Sequence, residues 1–164
     1  AEIKLKEERL LKKEEKKINY ISFRFGTIAG VSKGMRFHTA INKFCLNASL
    51  NEKIQVYKTA YNQYRPYLSL KDVFKIFKFC IDKNLFNNET YNALSGNFTV
   101  KEIIRMIKRY KNKIKIKCVK SEIMNQLSYH VDNNKLKQIG LKLNAKIEKD
   151  IKETINLFKN LNYK

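Results

Sequence analysis

The chain has 164 residues, with 35 Lys and Arg against 15 Asp and Glu, for a formal net charge of +20. Its 43% hydrophobic content, with 9 Tyr and 10 Phe, is that of a globular domain or part of one, and excludes a disordered tail. No run approaches the ~20 apolar residues that span a bilayer, the first twenty residues are charged rather than signal-like, and two histidines without a C-x-x-C pair argue against zinc.

Taken alone, the charge points toward nucleic acid or an anionic surface. Only six of the basic residues are arginine, and lysine, asparagine and isoleucine, which share A/T-rich codons, dominate the chain. The lysines are also spread over the whole length. Biased composition therefore accounts for the charge better than a nucleic-acid footprint does. Cys45, Cys80 and Cys118 are odd in number and far apart. They read as free, mostly buried thiols of a reducing, cytoplasmic setting.

In chain order, residues 2–17 are dense in Lys, Glu and Leu and predict a helix with Ile3, Leu10 and Leu11 as sparse apolar anchors. Residues 20–25 predict a strand and 26–37 a loop with three glycines. Thr39 is placed to cap a helix running to about Leu46, with Ala40, Ile41, Phe44 and Cys45 inward. Residues 53–57 predict a short strand and 58–64 a polar turn. Pro66, the one proline, lacks an amide donor and predicts an edge or very short extended segment.

Ser69-Leu70-Lys71-Asp72 reads as a capping-box variant before an apolar helix from Val73 to about Asp82. Residues 91–94 predict a strand. Thr99-Val100-Lys101-Glu102 is a full capping box, followed by a helix with Val100, Ile103, Ile104 and Ile107 on one face. Residues 113–119 alternate, which predicts a half-exposed strand with Ile114, Ile116 and Cys118 inward. Residues 128–131 read as extended, and 133–139 as a short helix ended by Gly140. A last helix, near 146–161, has Ile147, Ile151, Ile155 and Phe158 on one face.

Four segments carry a resemblance. They are Arg24-Phe25-Gly26-Thr27-Ile28-Ala29-Gly30, Arg65-Pro66-Tyr67-Leu68-Ser69-Leu70-Lys71-Asp72, Tyr91-Asn92-Ala93-Leu94-Ser95-Gly96 running on to the Thr99 cap, and Ser128-Tyr129-His130-Val131-Asp132 with Lys135 and Gly140. In this order and spacing they resemble the C-terminal half of the extended short-chain dehydrogenase/reductases, the nucleotide-sugar epimerases and dehydratases. The resemblance implies an α/β fold: part of a Rossmann-type domain, its last helix and parallel strands, interleaved with a small mixed α/β substrate-binding subdomain. It implies NAD or NADP as cofactor, a nucleotide sugar as substrate, no membrane partner and a homodimeric parent. It weighs against a nucleic-acid partner.

The resemblance also implies roles. The family's catalytic Tyr-x-x-x-Lys pair precedes the Arg24 strand, and Ala1-Glu2-Ile3-Lys4 reads as its x-x-x-Lys, with the tyrosine expected one residue before Ala1. Residues i and i+4 share a helix face, so the ammonium would sit beside the phenol and stabilise its phenolate. Lys4 is thus the catalytic candidate and, with Phe25, the cofactor-binding one; a core aromatic reads Phe25 equally well. Thr27, Arg36, His38, Tyr57, Arg65 and Tyr67 are the substrate-binding candidates. Arg65 leads, because a guanidinium fork suits a diphosphate. A solvated loop arginine and an edge-strand tyrosine are the plain alternatives for Arg36 and Tyr57. Arg24 reads as holding its strand end and Asp72 as a cap and first-turn charge.

Two places depart from the family pattern. Ser69 stands where it has histidine, and Asn125 or Gln126 must serve where it often has a second arginine. The 164 residues also hold no glycine-rich phosphate loop of the G-x-x-G-x-x-G kind. The expectation is therefore a fragment of a longer enzyme, inactive alone, with the cofactor-binding half elsewhere and with exposed strand edges. A basic nucleic-acid-binding domain and a degenerate non-catalytic fragment are the alternatives.

Overall fold

The computed structural model describes residues 2–120 and 128–159. Its elements in order are α1 (Glu2–Lys13), β1 (Ile21–Phe25), β2 (Thr27–Ala29), α2 (Ala40–Ser49), β3 (Lys53–Tyr57), β4 (Tyr64–Ser69), α3 (Leu70–Asp82), β5 (Glu89–Ala93), β6 (Gly96–Thr99), α4 (Val100–Tyr110), β7 (Lys115–Val119), α5 (Asn134–Gln138) and α6 (Ile147–Leu157), with a 3-10 turn at 58–60. This is a mixed α/β fold with parallel strands, as the sequence leads one to expect.

The strands form three small sheets. β1 and β5 pair in parallel, with Phe23 opposite Tyr91. β4 is the middle strand of the second sheet, parallel to β2 and antiparallel to β6. β3 and β7 pair in parallel, with Lys53 opposite Lys115. β3 alternates strictly, burying Ile54 and Val56. One core collects these with Ile41, Phe44 and Cys45 of α2, Ile103, Ile104 and Ile107 of α4, and Ile147, Ile151 and Ile155 of α6. A second core joins Leu68, Val73, Ile76 and Cys80 to Tyr91, Ala93, Leu136 and Leu141.

Local chemistry explains the sharpest boundaries. Thr99 Oγ1 accepts from the Glu102 amide at 3.1 Å while the Glu102 carboxylate accepts from the Thr99 amide at 2.7 Å, completing the capping box of α4. Ser69 Oγ accepts from the Lys71 amide and caps α3. Gly140, at φ +87, ends the turn after α5.

Several expectations change. α1 stops at Lys13, and residues 14–17 form a turn. The glycine loop contains β2, a three-residue strand. α2 runs on to Ser49, and Thr39 stands at its N-cap position without capping it: its hydroxyl donates to the Arg36 carbonyl at 3.2 Å. Pro66 is not on an edge. The β2 ladder begins only at Tyr67, so the missing amide removes no bond on that side. α3 starts at Leu70, three residues early. In β7, Ile116 and Cys118 are not buried in a core: all of Lys115–Cys118 is exposed, because among the described residues this strand pairs only with β3 and no element buries it. Residues 128–131 pair with no strand; side chains hold them instead. α6 begins at Ile147 and ends at Leu157, with 158–159 in a turn, short of the expected 161; residues 160–161 lie outside the described residues, as do Asn125 and Gln126.

Candidate functional site

β1 leaves its sheet through Gly26, whose amide still donates to Ala93 O at 2.9 Å. A Cβ there would lie 3.0 Å from both the carbonyl carbon and oxygen of Pro66, so β4 can pass this close only because residue 26 has none. β2 then runs to Gly30 (φ +132), where a Cβ would meet that of Leu70 at 3.1 Å. The loop that follows is fastened at its far end. The Phe37 ring meets the Phe158 ring edge-on at 5.7 Å, and the Arg36 carbonyl also accepts from Asn42 Nδ2 at 3.1 Å.

Two adjoining cavities open beside this loop. One, of about 510 Å³, lies along Gly26, Thr27, Gly30, Arg36, His38 and Asn42. The other, of about 530 Å³, lies along Thr27, His38, Lys43, Tyr57, Arg65 and Tyr67. They share Thr27, His38 and Thr39. All six substrate-binding candidates thus line one double cavity, although they come from β2, the glycine loop, β3 and β4. Their settings differ. Tyr57 is half exposed, whereas Tyr67 is 3% exposed and packs its ring toward Phe98, so Tyr67 is a core residue that also forms part of the wall. Burial pushes the Tyr67 phenol above its ordinary range, with the Arg65 charge opposing.

Arg65 is half-buried and held in place. Nη1 donates to the Tyr64 carbonyl at 2.8 Å, Nη2 to Gln63 Oε1 at 3.0 Å, and the guanidinium stands 5.0 Å from the Tyr129 ring centre. Tyr129 belongs to a strap, residues 128–131, laid against β4 and β6. The Tyr64 amide donates to Ser128 Oγ at 3.0 Å, the Tyr64 and His130 rings are 4.2 Å apart, and Asn97 bonds both backbone groups of Val131 at 3.0 and 3.1 Å. Arg65 is marked by its motif, whereas the strap's contact with it is not. That contact joins residues 64 positions apart, and no local pattern signals it.

Beneath the loop lies a buried polar seam that the sequence also left unread. Ser69 caps α3, and Asp72, 1% exposed, is the acidic residue of that helix's first turn, as expected, but not its cap. Its carboxylate accepts from Ser95 Oγ at 2.6 Å and from the Ala145 and Asn144 amides at 3.1 and 3.3 Å, tying three segments together. Ser95 Oγ in turn accepts from the Ser69 amide at 2.8 Å. Asp150 of α6 is also 1% exposed, and its Oδ2 has no partner among the described residues. Burial pushes its carboxyl up to about 6, against a hydrogen bond from Ser69 and the charge of Lys71. Its Oδ1 lies 3.6 Å from where a Gly30 Cβ would be.

Lys4 and Phe25 meet elsewhere. They line a separate, smaller hollow of about 440 Å³ between α1 and β1, with Glu8, Leu11, Phe23 and Arg24. Lys4 Nζ pairs with Glu7 at 2.8 Å on an exposed face. Arg24 grips Glu8 with two nitrogens, at 2.8 and 2.5 Å, which holds Glu8 below the usual carboxylate range and fixes α1 to β1. This is the strand-end role expected of Arg24. Phe25 stacks on Phe23 at 5.7 Å and meets Phe77 edge-on, yet stays 36% exposed. The resemblance implies a nicotinamide dinucleotide here. The residues present fit a wall at one end of it, and the 164 residues contain no G-x-x-G-x-x-G run to cradle its phosphates.

No protein-family model matches the chain. Among solved structures, a UDP-glucuronic acid 4-epimerase from Bacillus cereus, in complex with UDP-glucuronic acid and NAD, is similar over 94% of this chain, with a TM-score of 0.81 and 15% identity. A UDP-glucose 4-epimerase from Thermus thermophilus, in complex with NAD, is similar over 94% with a TM-score of 0.79 and 16% identity. A dTDP-glucose 4,6-dehydratase from Bacillus anthracis, in complex with NAD, is similar over 92% with a TM-score of 0.75 and 18% identity. The chain spans about half the length of each: 50%, 52% and 48% respectively. The four motifs and the backbone therefore agree: this chain has the fold of nucleotide-sugar epimerases and dehydratases, over about half of their length.

Proposed function

We propose that the chain is the substrate-binding half of an NAD(P)-dependent nucleotide-sugar epimerase- or dehydratase-like oxidoreductase, acting with a dinucleotide-binding half that precedes it. One observation carries this reading. Thr27, Arg36, His38, Tyr57, Arg65 and Tyr67, singled out by the resemblance, line one double cavity in a fold shared with such enzymes. Arg65 clamps the diphosphate, with Arg36 as a second cation; Thr27 donates and accepts along the sugar; Tyr57 offers its exposed ring to the base. When bound, the dinucleotide supplies a hydride acceptor and donor. Lys4 holds the phenolate form of a tyrosine one position before Ala1, and Phe25 forms one wall of the nicotinamide pocket. The chain by itself turns nothing over.

The coding sequence upstream of Ala1 tests this first. A tyrosine in the adjoining position and a glycine-rich strand-turn-helix about one domain earlier are expected; a stop codon or another residue there overturns the Tyr-Lys assignment. With that longer protein, sugar-nucleotide turnover should fall at least tenfold in Arg65→Ala. An unaltered rate would remove Arg65 from the site.

A further inference from the structure

Tyr129 is 49% exposed and belongs to neither core, yet the chain is held firmly on both sides of it. Before it, Ser128 Oγ accepts from the Tyr64 amide at 3.0 Å. After it, the His130 ring lies 4.2 Å from that of Tyr64, and Asn97 bonds Val131. The Asp132 carbonyl accepts from Asn92 Nδ2 at 3.2 Å, and Asn133 Nδ2 donates to the Leu94 carbonyl at 3.1 Å. These bonds fix a segment that pairs with no strand, and so fix where the Tyr129 ring stands.

The ring stands 5.0 Å from the guanidinium carbon of Arg65. Of the cation–aromatic contacts among the described residues, it is the one made by an arginine; Lys135 and Lys152 make the others. The difference has chemical content. A guanidinium is flat, so a ring can support its face while its N–H groups work in the plane. Arg65 has both kinds of restraint, with Nη1 and Nη2 bonded to Tyr64 and Gln63. It also lines the second cavity. A loose arginine gives up much rotamer freedom when it grips a ligand, and one already held gives up less.

Resting on the nucleotide-sugar reading, we propose that Tyr129 is a positioning residue for the ligand's diphosphate: it acts through Arg65, setting the pose in which the guanidinium meets the phosphates. The strap is thereby part of the binding apparatus, although its effect reaches the ligand only through the arginine.

Titration calorimetry of the full chain with UDP tests this. Tyr129→Leu, which removes the ring, should bind UDP about threefold to tenfold more weakly. Tyr129→Phe, which keeps the ring, should bind as wild type does. A merely structural ring would matter whatever residue 65 is, so Tyr129→Leu should cause no further loss in an Arg65→Ala background. Where Arg65→Ala binds no UDP, the Leu and Phe variants decide alone. If Arg65→Ala weakens UDP, three results overturn the positioning role and leave the cavity reading standing: affinity unchanged in Tyr129→Leu, equal weakening by Leu and Phe, or the same loss from Tyr129→Leu in both backgrounds. Wild type that binds no UDP, or binds it no better than Arg65→Ala does, overturns both.

Discussion

Two helices of similar composition behave in opposite ways. α1 and α4 are both rich in lysine, with isoleucine or leucine at helical spacing. α4 buries Ile103, Ile104 and Ile107, is boxed by Thr99 and Glu102, and packs against α2 and α6. α1 buries no residue: Ile3 is 72% and Leu10 60% exposed, and Arg24–Glu8 is its one ion pair to another element among the described residues. The α2–α4–α6 region is a completed core carrying the double cavity. The α1–β1–β5 region is a two-stranded sheet and a loosely held helix, with Phe74, Phe77 and Ile81 of α3 also open to solvent. The α2, α4 and α6 helices close a core among themselves, β1 and β5 lean on the second core, and α1 buries nothing.

The contrast can be broken most directly in the core. Ile104→Ala should cost about 2–5 kcal/mol by urea unfolding, against under about 0.5 kcal/mol for Leu10→Ala. Equal costs would mean that α1 is packed as tightly as α4. Next comes Asp150, whose folded-state value of about 6 lies above its ordinary value of 3.8. Between these values the folded chain holds more protons than the unfolded one, so stability is highest below the window and falls as pH rises through it. Asp150→Asn should therefore stabilise the chain at pH 7, by on the order of 2–3 kcal/mol, and the gain should vanish near pH 4. A pH-independent difference between the two proteins would refute the buried-charge account.

Smaller effects test the tethers. Thr99→Ala removes one cap bond and leaves the Glu102 carboxylate with less to hold, and should cost about 1 kcal/mol in thermal unfolding. Arg24→Ala breaks a largely exposed pair worth at most about 1 kcal/mol. Its effect should be local: faster amide exchange along α1, with α4 protected as before. Acceleration in both helices would show that the two regions are one cooperative unit.

What was legible in the sequence was whatever depends on near neighbours. The Thr99–Glu102 box, the β3 alternation and the inward stripe Ile147, Ile151, Ile155 and Phe158 all appear in the fold. Thr27, Arg65 and Tyr67 were legible because they sit in motifs with fixed spacing, and Arg36, His38 and Tyr57 from their places after the glycine loop and at the end of a strand. Features set by distant partners were not. β2 exists because β4 lies alongside it, forty residues further on. Asp72 has the sequence signature of a cap, yet Ser95, Asn144 and Ala145 offer it donors inside the seam. Alternation in β7 gave the period correctly and misled about the faces, since periodicity cannot say whether another element covers Ile116 and Cys118.

Gly26 sets the distance between the two hollows. It is the one residue between the strand that ends at Phe25 and the strand that begins at Thr27, and at that point the chain crosses the Pro66 backbone almost in contact. Both hollows are therefore spaced from a single pivot, with no slack for a side chain. A methyl group on residue 26 would require the Pro66 backbone to give by a few tenths of an ångström. The spacing of the two hollows is thus gauged by an absent carbon atom.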